Sequence, residues 1–369
     1  MQESFPVIIV GAGQSGLAVA YHLKQAGISH LILESHDKVG DNWRSRWEGL
    51  RLFSPAKYDG LPGMPFPADA WHLPSKDEAA NYLEAYAKHH SLPVRTDIQV
   101  LKSEQDESGF HLDTTQGDLH CQHLVVATGS FHTPFHPKVP GLPAELPQIH
   151  TARYRSHQDL PEGKILVVGA GASGQQVAGL IAPYREVILS GPKVPGLPRK
   201  ILGMDIYWWL YKTGLMNLTI DSRQGKKIYA KNQVEGDLSI GEKPRRLKQM
   251  GVERVGRFLD WQGGEAVFDT CLKTQPGPEP AEHSKSIAGI TGIVWATGYR
   301  NNFDWLGEGA VGEDGKPMHH RGVSSSIPGL YFIGIQFQYR VNSATMGGVG
   351  RDAEYLAERI SARLNESVI

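Results

Sequence analysis

Apolar positions in the first 34 residues change their period twice. Val7-Ile8-Ile9-Val10 is an unbroken β-branched run, the pattern of a strand buried on both faces. Leu17, Val19, Ala20 and Leu23 then recur at helical spacing until Gly27, and a second run, Leu31–Leu33, ends at Glu34. Strand, glycine-rich turn, helix and strand make a βαβ unit. The pattern returns at Lys164–Ser190, KILVVGAGASGQQVAGLIAPYREVILS. Its spacing is too long for a solenoid and marks a duplicated fold unit. Two strands also echo each other: HLVVATGSF (His123–Phe131) and GIVWATGYR (Gly292–Arg300) both run into Ala-Thr-Gly.

These elements predict an α/β fold with two Rossmann-like, three-layer dinucleotide-binding domains, the second inserted in the first. The first domain takes residues 1–153 and 291–369, the insertion takes 154–290, and the two ATG strands are the crossover points. Pro- and Gly-rich stretches at His132–Pro147 and Gln275–His283 read as joints. GMDIYWWLYKTGLMNL (Gly203–Leu218) has the length of a helix and is rich in apolar residues. It is expected to pack on the insertion's own core, with a lid over a pocket or a membrane-surface helix as alternatives.

Composition narrows the function. The 369 residues carry a net charge of -1, with no polybasic or acidic run to suggest nucleic acid or a membrane surface as partner. Cys121 and Cys271 are far apart and form no CxxC pair. No signal peptide or membrane span is read, and a soluble cytoplasmic protein is expected. His89-His90 and His319-His320 are adjacent pairs, and His132 and His136 flank Thr133-Pro134, so no metal site is expected. The basic stretch Lys243–Gln249 reads as solvated surface.

The chemistry lies in the glycines. In Gly11-Ala12-Gly13-Gln14-Ser15-Gly16, the first glycine makes the tight turn, the second admits a pyrophosphate to the backbone, and the third lets helix and sheet approach. Phosphates then meet a helix N-terminus carrying about half a positive charge. Glu34 stands where a ribose diol is accepted, which fits FAD. Asn42, Trp43 and Arg44, in the following VGDNWR stretch, are candidates to line the pyrophosphate and flavin. Gly169, Gly171, Ser173 and Gly174 repeat the motif for a nicotinamide cofactor, but its second strand ends at Ser190-Gly191 without an acid. That absence admits a 2′-phosphate. Lys193, Arg199 and Lys200 follow within reach, so NADPH is expected, with weak discrimination against NADH. Thr128, Gly129, Thr297 and Gly298 of the ATG turns complete the cofactor set.

The paired glycine motifs, the ATG strands and GDNW resemble the flavin-containing monooxygenases, in particular the short bacterial members and the plant auxin-forming branch. LRLFSPAKYDGLPGMPFP (Leu50–Pro67) and the closing stretch Gly329–Ile360 are also similar to that family. Two positions depart from it. The family pattern FxGxxxHxxx(Y/F) finds only His150 and Tyr154, with Ala144 and Leu146 in place of its Phe and Gly, and Phe53 stands where many members place an asparagine over the flavin. The resemblance implies hydride transfer from NAD(P)H to FAD and capture of O2 as a flavin C4a-hydroperoxide. That species oxygenates a small apolar substrate: a sulfide, an amine, or a ketone by Baeyer-Villiger oxidation. It places Phe53 and Ser54 near the flavin ring as the catalytic candidates, and Gln336 and Asn342 near flavin or nicotinamide. Trp208, Trp209, Phe337 and Tyr339 suggest an apolar pocket. An NAD(P)H oxidase or reductase of the same fold, or a non-catalytic redox-sensing flavoprotein, are the alternatives. A disulfide reductase is disfavoured for want of a cysteine pair. A homodimer is the base-rate expectation.

Overall fold

The computed structural model describes residues 3–194, 196–235, 240, 244–270, 272 and 284–366, without the side chains of 233–235. Cys271, Lys243 and the joint Gln275–His283 lie outside them. Glu3–Val10 forms strand β1, Gln14–Gln25 helix α1, and His30–Leu33 strand β2, parallel to β1 with Ile9 opposite Ile32. Lys76–His89 forms α2, which starts at a complete capping box: Ser75 Oγ accepts from the Glu78 N–H, and Glu78 accepts from the Ser75 N–H. Leu119–Val126, β3, lies on the other side of β1. The chain then leaves this sheet.

The second unit repeats the first. Lys164–Val168 is β4, Ala172–Ile181 is α3, and Glu186–Ser190 is β5, parallel to β4. After Ile206–Lys212, α4, strand β6 (Glu253–Val255) pairs with the outer side of β5, and β7 (Ile290–Trp295) pairs with β4. Gln148–His150 lies beyond β7. The chain returns as Leu330–Phe332, β8, parallel to β3, and closes with helix Gly350–Glu366, α5.

Alternation along the strands builds both cores. Val7 and Ile9 face a layer that holds Leu17 and Leu23 of α1, Tyr82 and Tyr86 of α2 and Leu356 and Ile360 of α5. Ile8 and Val10 face Phe110 and Leu112 of the antiparallel hairpin 100–114. In the second unit Ile165 and Val167 face Val177 and Ile181 of α3. Leu166 and Val168 face an antiparallel three-stranded sheet that contributes Ala266, Phe268 and Ile287. Each unit is therefore helix, parallel sheet and β-meander, in three layers. Burying one such aliphatic side chain is worth about 1.5–3 kcal/mol, so an outward slip of either strand is prohibitive.

Two expectations are corrected. Strand membership carries the inserted unit from 148 to 295, so both 148–150 and 291–295 lie with the second sheet, outside the limits of 154 and 290. The Trp-rich stretch does not pack on the insertion's core alone. Ile206, Tyr207, Leu210 and Met216 form their own cluster, which Tyr58 and Val341 of the first domain complete. The segment 218–220 also hydrogen-bonds with 339–341: Ile220 N–H donates to Tyr339 O at 2.8 Å and Val341 N–H to Leu218 O at 3.2 Å. The segment thus bridges the two units. No helix among the described residues is long and apolar enough to cross a membrane.

The two ATG turns are the crossovers. Just after them, Thr133–Pro134 and Tyr299–Arg300 pair antiparallel, so the outgoing and returning connectors run side by side as a ribbon.

Candidate functional site

The two glycine motifs sit in matching surroundings. Gly11 has φ +107° and Gly169 has φ +108°. A Cβ on Gly11 would lie 2.6 Å from the Ala127 carbonyl oxygen, and one on Gly169 would overlap the Ala296 carbonyl oxygen. Each first glycine is thus pinned under the alanine of an ATG turn. A Cβ on Gly16 would overlap the Gly11 carbonyl, and one on Gly174 that of Gly169. The middle glycines differ: nothing lies within 4 Å of a Cβ built on Gly13 or Gly171. The backbone there borders open space.

Both helices behind these turns begin unsatisfied. Gly13 caps α1 and Gly171 caps α3, neither helix has a side-chain cap, and neither has an acid in its first turn. The capping box and two first-turn acids of α2 show that this chain supplies such groups elsewhere. An uncapped N-terminus beside an open backbone is a fit for a pyrophosphate. FAD fits the first cradle because Glu34 supplies a ribose acceptor at its mouth. Its carboxylate accepts from the Ala12 N–H at 2.8 Å, the His36 N–H at 3.1 Å and His36 Nδ1 at 2.6 Å. Burial alone would raise its pKa, but the His36 ring and these two N–H groups prevail and hold it below the usual value. His36, two residues past Glu34, was not singled out from the sequence.

The second cradle lacks that acceptor. Gly11 N–H donates to Leu33 O and Gly169 N–H to Ser190 O, so Gly191, not Ser190, is the counterpart of Glu34. Ser190 is fully buried and its hydroxyl donates to Gly256 O at 2.8 Å, which removes it from the cofactor face. Lys193 and Lys200 are exposed. Arg199 is turned elsewhere: Nε donates to Asp205 at 2.6 Å and Nη1 to the Phe53 carbonyl.

Other sequence candidates fall into two groups. Arg44 is committed to structure, binding Val39 O, Asp41, Asn81 and Glu84, and so ties its turn to α2 rather than facing a phosphate. Asn42 holds Ser45 and Arg46 through its carbonyl, and Trp43 packs on the main core with a buried indole N–H that has no partner among the described residues. The ATG residues do come to the cradles. Thr128 Oγ1 lies 2.9 Å from His132 Nε2, Thr297 donates to Phe135 O, and Gly129 and Gly298 border open space. The returning segment reaches the first cradle at Gly334, where any Cβ would overlap Ser15 Oγ. Gln14 and Ser173 are half-buried beside their turns, Ser15 is buried, and Gln336 is exposed.

Phe53 and Ser54 lie near the segment that bridges the units, in a polar cluster to which Arg199 contributes from the insertion. Ser54 Oγ donates to Asp59, a fully buried carboxyl whose Oδ2 has no partner among the described residues. Burial pushes Asp59 up to about 7, against the Ser54 hydrogen bond and the Arg199 charge. Tyr58 stacks on Tyr211 at 4.3 Å and 9°. Burial raises the Tyr211 phenol, and the neighbouring Asn342 side chain opposes that shift. Phe337, buried at φ +52°, meets Tyr229 of the insertion edge-on at 5.6 Å. Phe53 itself is 38% exposed. Asp59 carried no periodic signal and was missed.

His150 holds the second crossover, and Tyr154 is buried in the main core with its N–H on the His150 carbonyl. Ala152 N–H donates to His150 Nδ1 at 3.1 Å, which puts the ring proton on Nε2 for donation to Gly298 O, also at 3.1 Å. Burial keeps this histidine neutral, with its pKa lowered to about 4.

A family model for pyridine nucleotide-disulphide oxidoreductases matches residues 8–189. An uncharacterized CzcO-like oxidoreductase of Geobacillus kaustophilus is 37% identical over 98% of this chain and 99% of its own. The probable indole-3-pyruvate monooxygenase YUCCA4 of Arabidopsis thaliana is 35% identical over 96% of this chain and 89% of its own. The chain belongs to the flavin monooxygenase family. A flavin-containing monooxygenase from Stenotrophomonas maltophilia shares the fold, with a TM-score of 0.77 at 22% identity over 98% of this chain and 100% of that one.

Two predictions follow from the geometry. Gly13→Ala leaves the apoprotein's melting temperature near wild type but weakens FAD binding roughly tenfold or more, read as the flavin-to-protein ratio, whereas Gly16→Ala loses the fold as well. Unchanged FAD affinity in Gly13→Ala removes the cradle assignment. For Asp59, folding takes up a proton between about pH 4 and pH 7, so its contribution is present at low pH and lost as pH rises through 7. Asp59→Asn therefore gains stability relative to wild type across that window and levels off above it. Parallel melting curves at pH 4.5 to 8 measure the difference, and a gap independent of pH refutes the assignment.

Proposed function

We propose that the chain is an FAD- and NADPH-dependent monooxygenase that transfers one oxygen atom of O2 to a small apolar substrate, releasing the other as water. The observation that carries this reading is the pair of matching cradles, each with an open middle glycine and an uncapped helix behind it. FAD in the first cradle supplies the redox and oxygen-activating chemistry. Gly13 and the N–H groups of α1 hold its pyrophosphate, and Glu34 holds its ribose. Gly171 and the first turn of α3 hold the nicotinamide dinucleotide. Tyr58, Tyr207 and Tyr211 exclude water where α4 meets the first domain, and Ser54 with Asp59 keeps a proton there below about pH 7.

Soft nucleophiles such as sulfides and amines are the proposed substrates, with ketones as a second class. The plant relative named for indole-3-pyruvate adds an aromatic 2-oxo acid, for which Nη2 of half-buried Arg199, without a partner among the described residues, is a candidate contact. One observation favours a second reading, an oxidase that releases peroxide: Phe53 replaces the family asparagine, and Arg199 holds its carbonyl.

NADPH added anaerobically to the yellow holoprotein bleaches the flavin. Readmitting air with thioanisole then yields sulfoxide, with indole-3-pyruvate and cyclohexanone as parallel substrates. Peroxide equal to the NADPH consumed, with no oxygenated product from any of them, supports the oxidase. Failure of both NADPH and NADH to bleach the flavin sinks both readings.

A further inference from the structure

The end of β5 offers a nicotinamide cofactor no side chain of its own. Gly191 has φ +139°, and a Cβ there would lie 2.9 Å from Ala170 N and 3.1 Å from Ala170 Cβ, so the turn of the second cradle bars any substituent. Ser190, next to it, points to the opposite face and is bound to Gly256. Recognition at this mouth has to come from a neighbouring strand.

That strand is β6. It pairs in parallel with β5, with Leu189 opposite Arg254 and Ser190 opposite Val255. Residues opposite each other in a ladder share a face. Leu189 and Val252 pack in the core that α3 faces, and Val255 packs in the other. Arg254 thus projects on the α3 side, the side on which Glu34 stands in the first unit. Its guanidinium reaches past Gly191 and donates Nη2 to Pro192 O at 2.6 Å. Nε is buried with no partner among the described residues, and no carboxylate among them forms an ion pair with Arg254. Burial lowers its pKa with no acid opposing. A half-buried guanidinium without a counter-charge is costly, and a planar fork of donors suits a phosphate.

We infer that Arg254 binds the 2′-phosphate of NADPH and makes the second cradle selective for NADPH over NADH. The inference rests on the nicotinamide reading of that cradle, and it replaces the loose preference expected from Ser190-Gly191 alone. Arg254 acts from β6, one strand away from the position where the first unit keeps its selectivity acid.

FAD-loaded wild type, Arg254→Ala and Arg254→Lys are titrated with NADP+, NAD+, 2′-AMP and 5′-AMP by calorimetry. Wild type is expected to bind NADP+ more tightly than NAD+. Arg254→Ala loses roughly 10- to 100-fold for NADP+ and for 2′-AMP and changes less than threefold for NAD+ and 5′-AMP, with Arg254→Lys intermediate. Equal losses for both dinucleotides make Arg254 a strut for Pro192 and overturn the inference, as does no loss for either. Wild type that holds FAD but binds neither dinucleotide overturns the nicotinamide reading and the inference together. The NAD+ arm separates the two failures.

Discussion

Everything functional in this chain hangs on a close approach between two backbones. A strand ends, its first glycine turns under the carbonyl of an alanine from the neighbouring parallel strand, and the helix that follows is pulled tight against the turn. No side chain fits at either end of that turn. The consequence is a helix N-terminus held rigidly at the sheet edge with its N–H groups pointing out. Preorganisation of this kind spares a ligand the cost of ordering its own site. The chain builds it twice, with the same alanine and the same two steric stops.

Where the copies differ, function divides. The first keeps Glu34 against the Ala12 N–H. In the second, Gly191 stands at that place with φ +139° and lies so close to Ala170, the counterpart of Ala12, that a Cβ in this conformation would meet it. The two turns share their alanine and differ in the backbone that follows the strand.

Much of this was legible in the sequence because it depends on short-range rules. The period changes at Val7–Val10 and Leu17–Leu23 fix strand and helix, and the glycine spacing fixes the turn between them. What escaped depends on contacts distant in sequence. Gly203–Leu218 has an apolar pattern that says it is buried but not against what, and its partners Tyr58 and Val341 lie more than a hundred residues away on either side. Arg44 reads as a phosphate ligand until α2 brings Asn81 and Glu84 to it. Ser190 reads as part of the cofactor site until the strand's alternation turns its hydroxyl inward. Asp59 has no pattern at all, and only its burial beside Ser54 gives it meaning.

The paired connectors, Thr133–Pro134 and Tyr299–Arg300, join the two units at one place, and the stacked pair Tyr58–Tyr211 with the backbone bonds between 218–220 and 339–341 joins them at another. Two seams on one boundary hold it more stiffly than a single tether would, so the pocket of polar groups at Ser54 and Asp59, which Arg199 reaches through the Phe53 carbonyl, is as much a product of the join as of either unit.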